Sequence, residues 1–286
     1  MKLMTVCAPS TRLIWLSLGL PGLAAVGLYG PLFPAIVREW AEFPNLSHGF
    51  AIPLIAAYLL WARRDRLQTI LLEPSLWGLP VVVAGLGALV VGVQGGELFL
   101  ARVSFPVTLL GLTLFLAGPK VIRETWIGIG YLAFMIPLPW VTVKLITYRS
   151  RILDAAASAE ALGWLGVPVY REGVFLHLPN ITLEVADVCS SIPAIAALLA
   201  LGVAYASLGR RPVAARVALI AAALPFAIAS NIIRLTTTGA GVYYIGPWTL
   251  KTAYHMFNGT VNFLLTFLLL LILDGALMGL ARRWSR

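Results

Sequence analysis

Long apolar runs with short polar breaks between them dominate this chain. They are rich in Leu, Ala, Val and Gly and extend for roughly 17–22 residues without strict alternation of apolar and polar positions. A half-buried strand alternates with period two and a barrel strand is far shorter, so the runs read as helices. The pattern predicts an all-α integral membrane protein of about eight transmembrane helices. Their expected positions are near 13–32, 48–62, 76–94, 98–117, 125–143, 190–208, 213–234 and 256–280. The second run is short; it begins at Ser47-His48-Gly49 and stops at Arg63, Arg64 and Arg66. Pro53, Pro80, Pro106, Pro137, Pro139 and Pro225 interrupt the runs, as membrane helices tolerate.

One long stretch, 144–189, breaks the apolar rhythm. Its first part, Lys144 to Gly163, mixes Arg149, Arg151, Asp154 and Glu160 with Ile, Leu and Ala, which predicts an amphipathic helix in the membrane interface. Its second part carries two short β-rich runs on either side of Pro179-Asn180 and predicts a small hairpin capping the bundle. No repeat or low-complexity tract divides the chain, so residues 1–286 are expected to form a single polytopic membrane domain.

Composition agrees with this reading. Sixty per cent of the residues are hydrophobic and 12% are charged, too little charge to cover a soluble domain of this length. The net charge of +9 would fit a nucleic-acid partner if it were clustered, but its distribution follows topology instead. With the N-terminus in the cytoplasm, Lys2, Arg12, Arg63, Arg64, Arg66, Lys120, Arg123, Arg210, Arg211, Arg216, Arg282, Arg283 and Arg286 fall inside. That side holds thirteen basic residues against Asp65, Glu73, Glu124 and Asp274, while the outer side holds eight of each sign. The positive-inside rule selects this orientation, with both termini cytoplasmic and the 144–189 stretch outside. Lys2 and Arg12 before the first apolar run resemble a signal peptide, but no small-residue cleavage site follows. The expected environment is a lipid bilayer, with no nucleic acid.

Candidate chemistry gathers at the outer helix ends. Cys189 precedes the sixth run, where Ser190 or Ser191 suits an N-cap and Pro193 a first helical turn. A helix N-terminus favours thiolate over thiol. Arg234 closes the seventh run and His255 opens the eighth. A thiol, a guanidinium and an imidazole at one face form the minimal set for thiolate acyl transfer. Each also has a plainer reading: an inert buried Cys, a snorkelling Arg, an interfacial His. Asn258 and Asn262 lie three and seven residues after His255, and Asn231 three before Arg234, so polar faces are expected to turn into the bundle. His48 is read first as ordering a helix start, His177 as part of a strand, and Glu184 and Asp187 as solvated carboxylates. Cys7 falls on the opposite face from Cys189, so the two are not expected to pair. No His or Cys pair has metal-ligand spacing and no Gly loop cradles phosphate, so neither metal nor cofactor is expected.

Ser47-His48-Gly49-Phe50 with Pro53-Leu54-Ile55 and Leu59-Leu60-Trp61-Ala62-Arg63-Arg64 resembles the exosortase/archaeosortase family. So do Arg171-Glu172-Gly173, Leu178-Pro179, Val185-Ala186-Asp187-Val188-Cys189-Ser190, Asn231-Ile232-Ile233-Arg234 and His255, over nearly the whole chain. The resemblance implies a multi-pass cysteine transpeptidase or protease acting on C-terminal sorting signals of the PEP-CTERM type in bacteria. The family's catalytic Cys, Arg and His then fall on Cys189, Arg234 and His255. Asn231, Asn258, His48 and Ser190 are the candidate substrate contacts. One position departs from the family pattern: Ser191 stands where Gly usually follows Cys-Ser, which bears on substrate geometry. The expected partners are exported proteins whose tails combine a recognition motif, an apolar span and a basic end. The setting is the inner (cytoplasmic) membrane, with the site on its outer face. Two other classes fit the composition. A transporter or flippase would place polar residues at several depths, and a non-catalytic assembly factor of an exopolysaccharide or export system would not need Cys189.

Overall fold

The computed structural model describes residues 11–209, 211–250 and 252–284, and leaves out the side chains of 11–18, 20, 44, 188, 252–256 and 280–284. The described chain is helical apart from one small sheet, as expected for an all-α architecture. It divides into two compact units, Met1–Leu138 and Pro139–Arg286.

In the first unit, α1 (Thr11–Tyr29) runs through a 3-10 turn at Gly30–Leu32 into α2 (Phe33–Glu42). The helical path therefore continues ten residues past the expected end at 32. Pro31 and Pro34 do not stop it because each sits in a first turn, where a missing N–H costs no bond. A 3-10 segment, Pro44–Phe50, leads into α3 (Ala51–Trp61), followed by the short α4 (Arg64–Leu67). Gly49 lies against the Trp40 indole, closer than any Cβ would allow. That indole donates to the Met135 carbonyl at 3.0 Å.

The centre of this unit is the antiparallel pair α5 (Gly78–Gln94) and α6 (Leu98–Ala117). Gly78, Gly85 and Gly92 recur every seven residues along α5 and face Phe115, Thr108 and Ala101, while Gly111 on α6 faces Val82. A Cβ at any of the four would come closer than 3.0 Å to its neighbour. In lipid, helices associate by such close approach, because apolar burial gives no preference for protein over acyl chain. Gly118, at φ +89°, turns the chain from α6 into α7 (Pro119–Tyr131), which a 3-10 turn extends to Met135. Some of this unit's charges are paired. Arg102, 5% exposed, grips Glu39 with two bonds at 2.6 and 3.0 Å, and Arg63 reaches Glu124 at 2.8 Å.

A single span over 125–143 does not form. Helical structure ends at Met135, Pro137 and Pro139 lie in the break, and α8 (Trp140–Trp164) starts afresh. A proline can neither donate to the preceding turn nor leave its predecessor helical, which accounts for the interruption. The second unit continues with β1 (Tyr170–Glu172), β2 (Phe175–His177) and β3 (Thr182–Glu184), an antiparallel sheet in that order. The expected hairpin at Pro179-Asn180 joins β2 to β3. A further strand, β1, precedes it through a turn at Gly173, whose φ is +60°. Then come α9 (Ser191–Ser207), α10 (Val213–Tyr244) and α11 (Thr252–Trp284). At the far end of these helices Arg211 stacks on Tyr205 and holds Asp274 at 2.8 and 2.9 Å.

By length and apolarity, three described helices can cross a membrane: Leu98–Ala117, Val213–Tyr244 and Phe257–Gly279. The number rises to four if the helices flanking the Pro137–Pro139 break make one span. The segments Asn45–Trp61, Gly78–Gln94 and Ser191–Ser207 are apolar but shorter. At about 1.5 Å per residue, seventeen residues give about 25 Å, less than the ~30 Å hydrocarbon core. The chain is a helical membrane protein, and the full set of eight spans is not established by helix length.

Candidate active site

The approach to α9 explains how Cys189 is presented. Ala186 is extended, Asp187–Cys189 forms a 3-10 turn, and Ser190 returns to extended backbone (φ −73°, ψ 165°) as the N-cap of α9. Pro193 follows in the first turn, as its lack of an N–H predicts. Ser190 does not cap with its side chain, since its hydroxyl donates back to the Asp187 carbonyl at 2.9 Å. The first helical amide, Ser191 N–H, donates instead to Asp154 Oδ2 on α8 at 2.8 Å. A carboxylate from a neighbouring helix thus takes the cap position.

Asp154 is 0% exposed and gathers three donors on that one oxygen. Besides the Ser191 amide, it accepts from Ser150 Oγ at 3.1 Å and from Asn231 Nδ2 at 3.0 Å. Asn231 Nδ2 also donates to the Cys189 carbonyl at 3.0 Å. The Ser191 hydroxyl shares a 2.7 Å bond with Ser150. The Ser191 side chain is therefore 2% exposed and tied to α8.

Arg151, one residue along α8 from Ser150, holds the strand leading to the cysteine. It bonds to the Val185 carbonyl, to Glu184 at 2.7 Å and to Asp187 at 2.8 Å. The two carboxylates read as solvated are thus paired with Arg151, although both remain largely exposed. A shallow groove of about 400 Å³ follows the exposed face of α8 from Trp140 past Tyr148 to Arg151 and Asp187. It ends two residues from Cys189. Below this turn Cys189, itself partly buried, packs on a cluster that includes Ala155, Leu176 and Val185.

Arg234 does not close its helix as expected: α10 continues ten residues further to Tyr244, because the polar Thr236, Thr237 and Thr238 turn their hydroxyls back onto the helix's own carbonyls. The charge of Arg234 acts on the Cys189 thiol more strongly than that of Arg151. Burial nevertheless has the largest effect and pushes the thiol above its ordinary range, while the two guanidiniums pull it down. The expected thiolate preference at a helix N-terminus is therefore not realised in the resting site. Arg234 Nε and Nη2 are shut off from solvent and have no hydrogen-bond partner among the described residues. The guanidinium lies over Gly259 of α11, where an added Cβ would stand 3.8 Å from Nη1. His255 lies one turn earlier on the same helix; its backbone is helical and its side chain is outside the described residues.

The asparagines form the seam between α10 and α11. Asn258 Nδ2 donates to the Arg234 carbonyl at 3.3 Å and bonds to the hydroxyls of Thr237 and Thr238 at 3.1 and 3.0 Å. Asn262 donates to the Asn258 carbonyl at 2.9 Å. The polar face expected after His255 does turn into the bundle.

The second unit thus brings together Cys189, Ser190, Asn231, Arg234 and Asn258, although the amides of Asn231 and Asn258 and the Ser190 hydroxyl are engaged by protein groups. His48 belongs to the first unit, beside the Gly49–Trp40 contact. His177 shares a 2.9 Å bond with Thr182 and stacks on Tyr170 within the sheet. Cys7 lies outside the described residues. The sequence places Arg151 and Asp154 on an amphipathic interfacial helix without marking them, or Ser150, as part of the site. A signal was present: Ser150, Asp154 and Ser158 repeat at four-residue spacing and line one face of α8.

A family model described as a transmembrane exosortase matches residues 40–272. No curated protein and no solved structure matches the chain.

Proposed function

The chain belongs to the transmembrane exosortase family, and from that premise we propose that it is a membrane-embedded cysteine transpeptidase. It cleaves the C-terminal sorting signals of exported, tail-anchored proteins and transfers them to an acceptor. The observation that carries this reading is the Arg234 guanidinium, whose charge favours the Cys189 thiolate and whose shielded Nε and Nη2 have no partner among the described residues. A buried donor without an acceptor is costly in a resting protein and useful where an oxyanion forms.

In the proposed reaction the Cys189 thiol gives its proton to His255 and attacks the scissile carbonyl. Arg234 stabilises the oxyanion. The C–N bond then breaks, His255 returns the proton to the leaving amine, and the new C-terminus remains as a thioester on Cys189. An acceptor amine or hydroxyl, or water, resolves it. The distribution of basic residues supports an eight-span arrangement in the inner membrane with cytoplasmic termini and an outer-face site. A nucleophile at that boundary meets peptide bonds that a stop-transfer helix holds there. The signal is therefore a motif outside, an apolar span of about 20 residues and a basic tail, with the groove on α8 receiving the motif.

The test is co-expression with a reporter bearing such a tail. Processing is expected to stop in Cys189→Ala and to fall when the reporter's span is deleted. Continued processing by Cys189→Ala would reveal a non-catalytic assembly factor, and equal cleavage of a soluble reporter would reveal an unselective protease.

A further inference from the structure

Between α8, α9 and α10, a single oxygen of a wholly buried carboxyl group collects the donors that define the cysteine turn. We propose that Asp154 is the positioning residue of this site: it fixes Cys189 by holding both the first amide of α9 and the Asn231 side chain that grips the Cys189 carbonyl. The inference rests on the cysteine-transferase reading and adds to it a residue that touches no substrate.

The geometry supports the assignment at three points. First, the short 3-10 turn ending at Cys189 is held by two backbone bonds, from Cys189 N–H to Ala186 and from Ser190 N–H to Asp187, and its carbonyl end is gripped by a side chain from another helix. Asn231 reaches the Cys189 carbonyl at 3.0 Å, and Asp154 orients that amide from 3.0 Å away. Second, Ser191 N–H is an orphan donor at a helix start, and Asp154 satisfies it at 2.8 Å. The residue after the N-cap and the carbonyl before it are thus both tied, directly or through one amide, to the same atom. Third, Ser150 and Ser191 complete the set: their hydroxyls share a 2.7 Å bond, and Ser150 donates to Asp154 at 3.1 Å. The Ser191 hydroxyl therefore anchors the turn to α8 and does not project toward substrate.

Asp154 Oδ1 is buried without a partner among the described residues, so only the Oδ2 side of the group carries the network. That asymmetry makes the proposal testable. An Asn at 154 can put its amide oxygen where Oδ2 lies and still accept from Ser191, Ser150 and Asn231. Its NH2 then replaces the unpartnered Oδ1. An Ala keeps none of these bonds.

The experiment uses the full chain in membranes, in a Cys7→Ser background so that Cys189 is the sole thiol. It has two readouts: reporter processing, and alkylation of Cys189 by iodoacetamide, which needs no substrate. Asp154→Asn is expected to retain processing within about tenfold. Asp154→Ala is expected to lose about a hundredfold or more in kcat with KM little changed, the cost of a misplaced nucleophile. Its Cys189 is expected to alkylate about tenfold faster than the parent, because a thiol released from a packed turn meets solvent. Asn231→Leu, which frees the Cys189 carbonyl and removes one donor from Asp154 but leaves the Ser191 amide bond in place, is expected to share the kcat loss and keeps the test open if Asp154→Ala does not accumulate. Equal losses in the Asn and Ala variants, or an Asn231→Leu kcat within about threefold of the parent, would overturn the proposal. If the alkylation pattern holds while Cys189→Ala still processes the reporter, positioning stands and the transferase reading fails.

Discussion

At Cys189 burial and charge act in opposite directions. The protein around the thiol disfavours its anion, and Arg234, followed by Arg151, partly restores it. Removing either guanidinium therefore raises the pH at which the thiolate forms. Arg234→Gln is expected to move the pH profile of Cys189 alkylation upward, and by more than Arg151→Gln; an unmoved profile in Arg234→Gln would show that its charge does not reach the sulfur. Arg234→Lys keeps the charge but loses the planar fork with its two unpartnered nitrogens. It is expected to preserve the alkylation profile while processing falls severely. The candidate thiol and imidazole stood out in the chain because it has only two Cys and three His, whereas Arg234, expected to close its helix, lies ten residues before the end of α10. The residues that hold the thiol in place did not stand out. Asp154 and Ser150 resemble the solvated face of an amphipathic helix until the fold shows the groups that approach them.

At the level of elements, apolar runs located the helices well and their interruptions less well. Hydropathy sees lipid compatibility, so the first run was expected to end near 32 although helical structure continues through Pro31 and Pro34 in first turns, and the apolar stretch around Pro137 and Pro139 was expected to be one span although its backbone breaks there. The strand β1 was missed because Tyr170-Arg171-Glu172 is polar and its pairing depends on the left-handed turn at Gly173. Asparagine spacing anticipated that the polar face of α11 turns into the bundle, but neither its partner α10 nor the place of Gly259 beside Arg234. Gly259→Ala is expected to be tolerated, since the added Cβ would stand 3.8 Å or more from the Arg234 side chain. Gly259→Leu would drive a branched side chain into the guanidinium. Processing is expected to fall about a hundredfold with the protein still present in the membrane. Normal processing in the leucine variant would mean that Arg234 is not held where it acts.

Across the whole molecule, the asymmetry of basic residues makes the orientation testable. A membrane-impermeant thiol reagent applied to intact cells is expected to label Cys189 and spare Cys7, and labelling of Cys7 alone would invert the topology and remove the outer-face site. The close pairing of α5 with α6 bears on how this protein can change over generations. Every non-synonymous single-base substitution in a glycine codon yields a residue with a Cβ or a stop. At Gly78, Gly85, Gly92 and Gly111 there is no room for that atom, whereas at Gly87, on the same helix, a Cβ meets nothing within 4 Å. In an error-prone library selected for full-length protein in the membrane, Gly87 is expected to drift to alanine or serine while those four accept only synonymous codons. The two helices are therefore bound to a shared inheritance: neither surface can move one mutation at a time, and a new pairing would have to arise on both together.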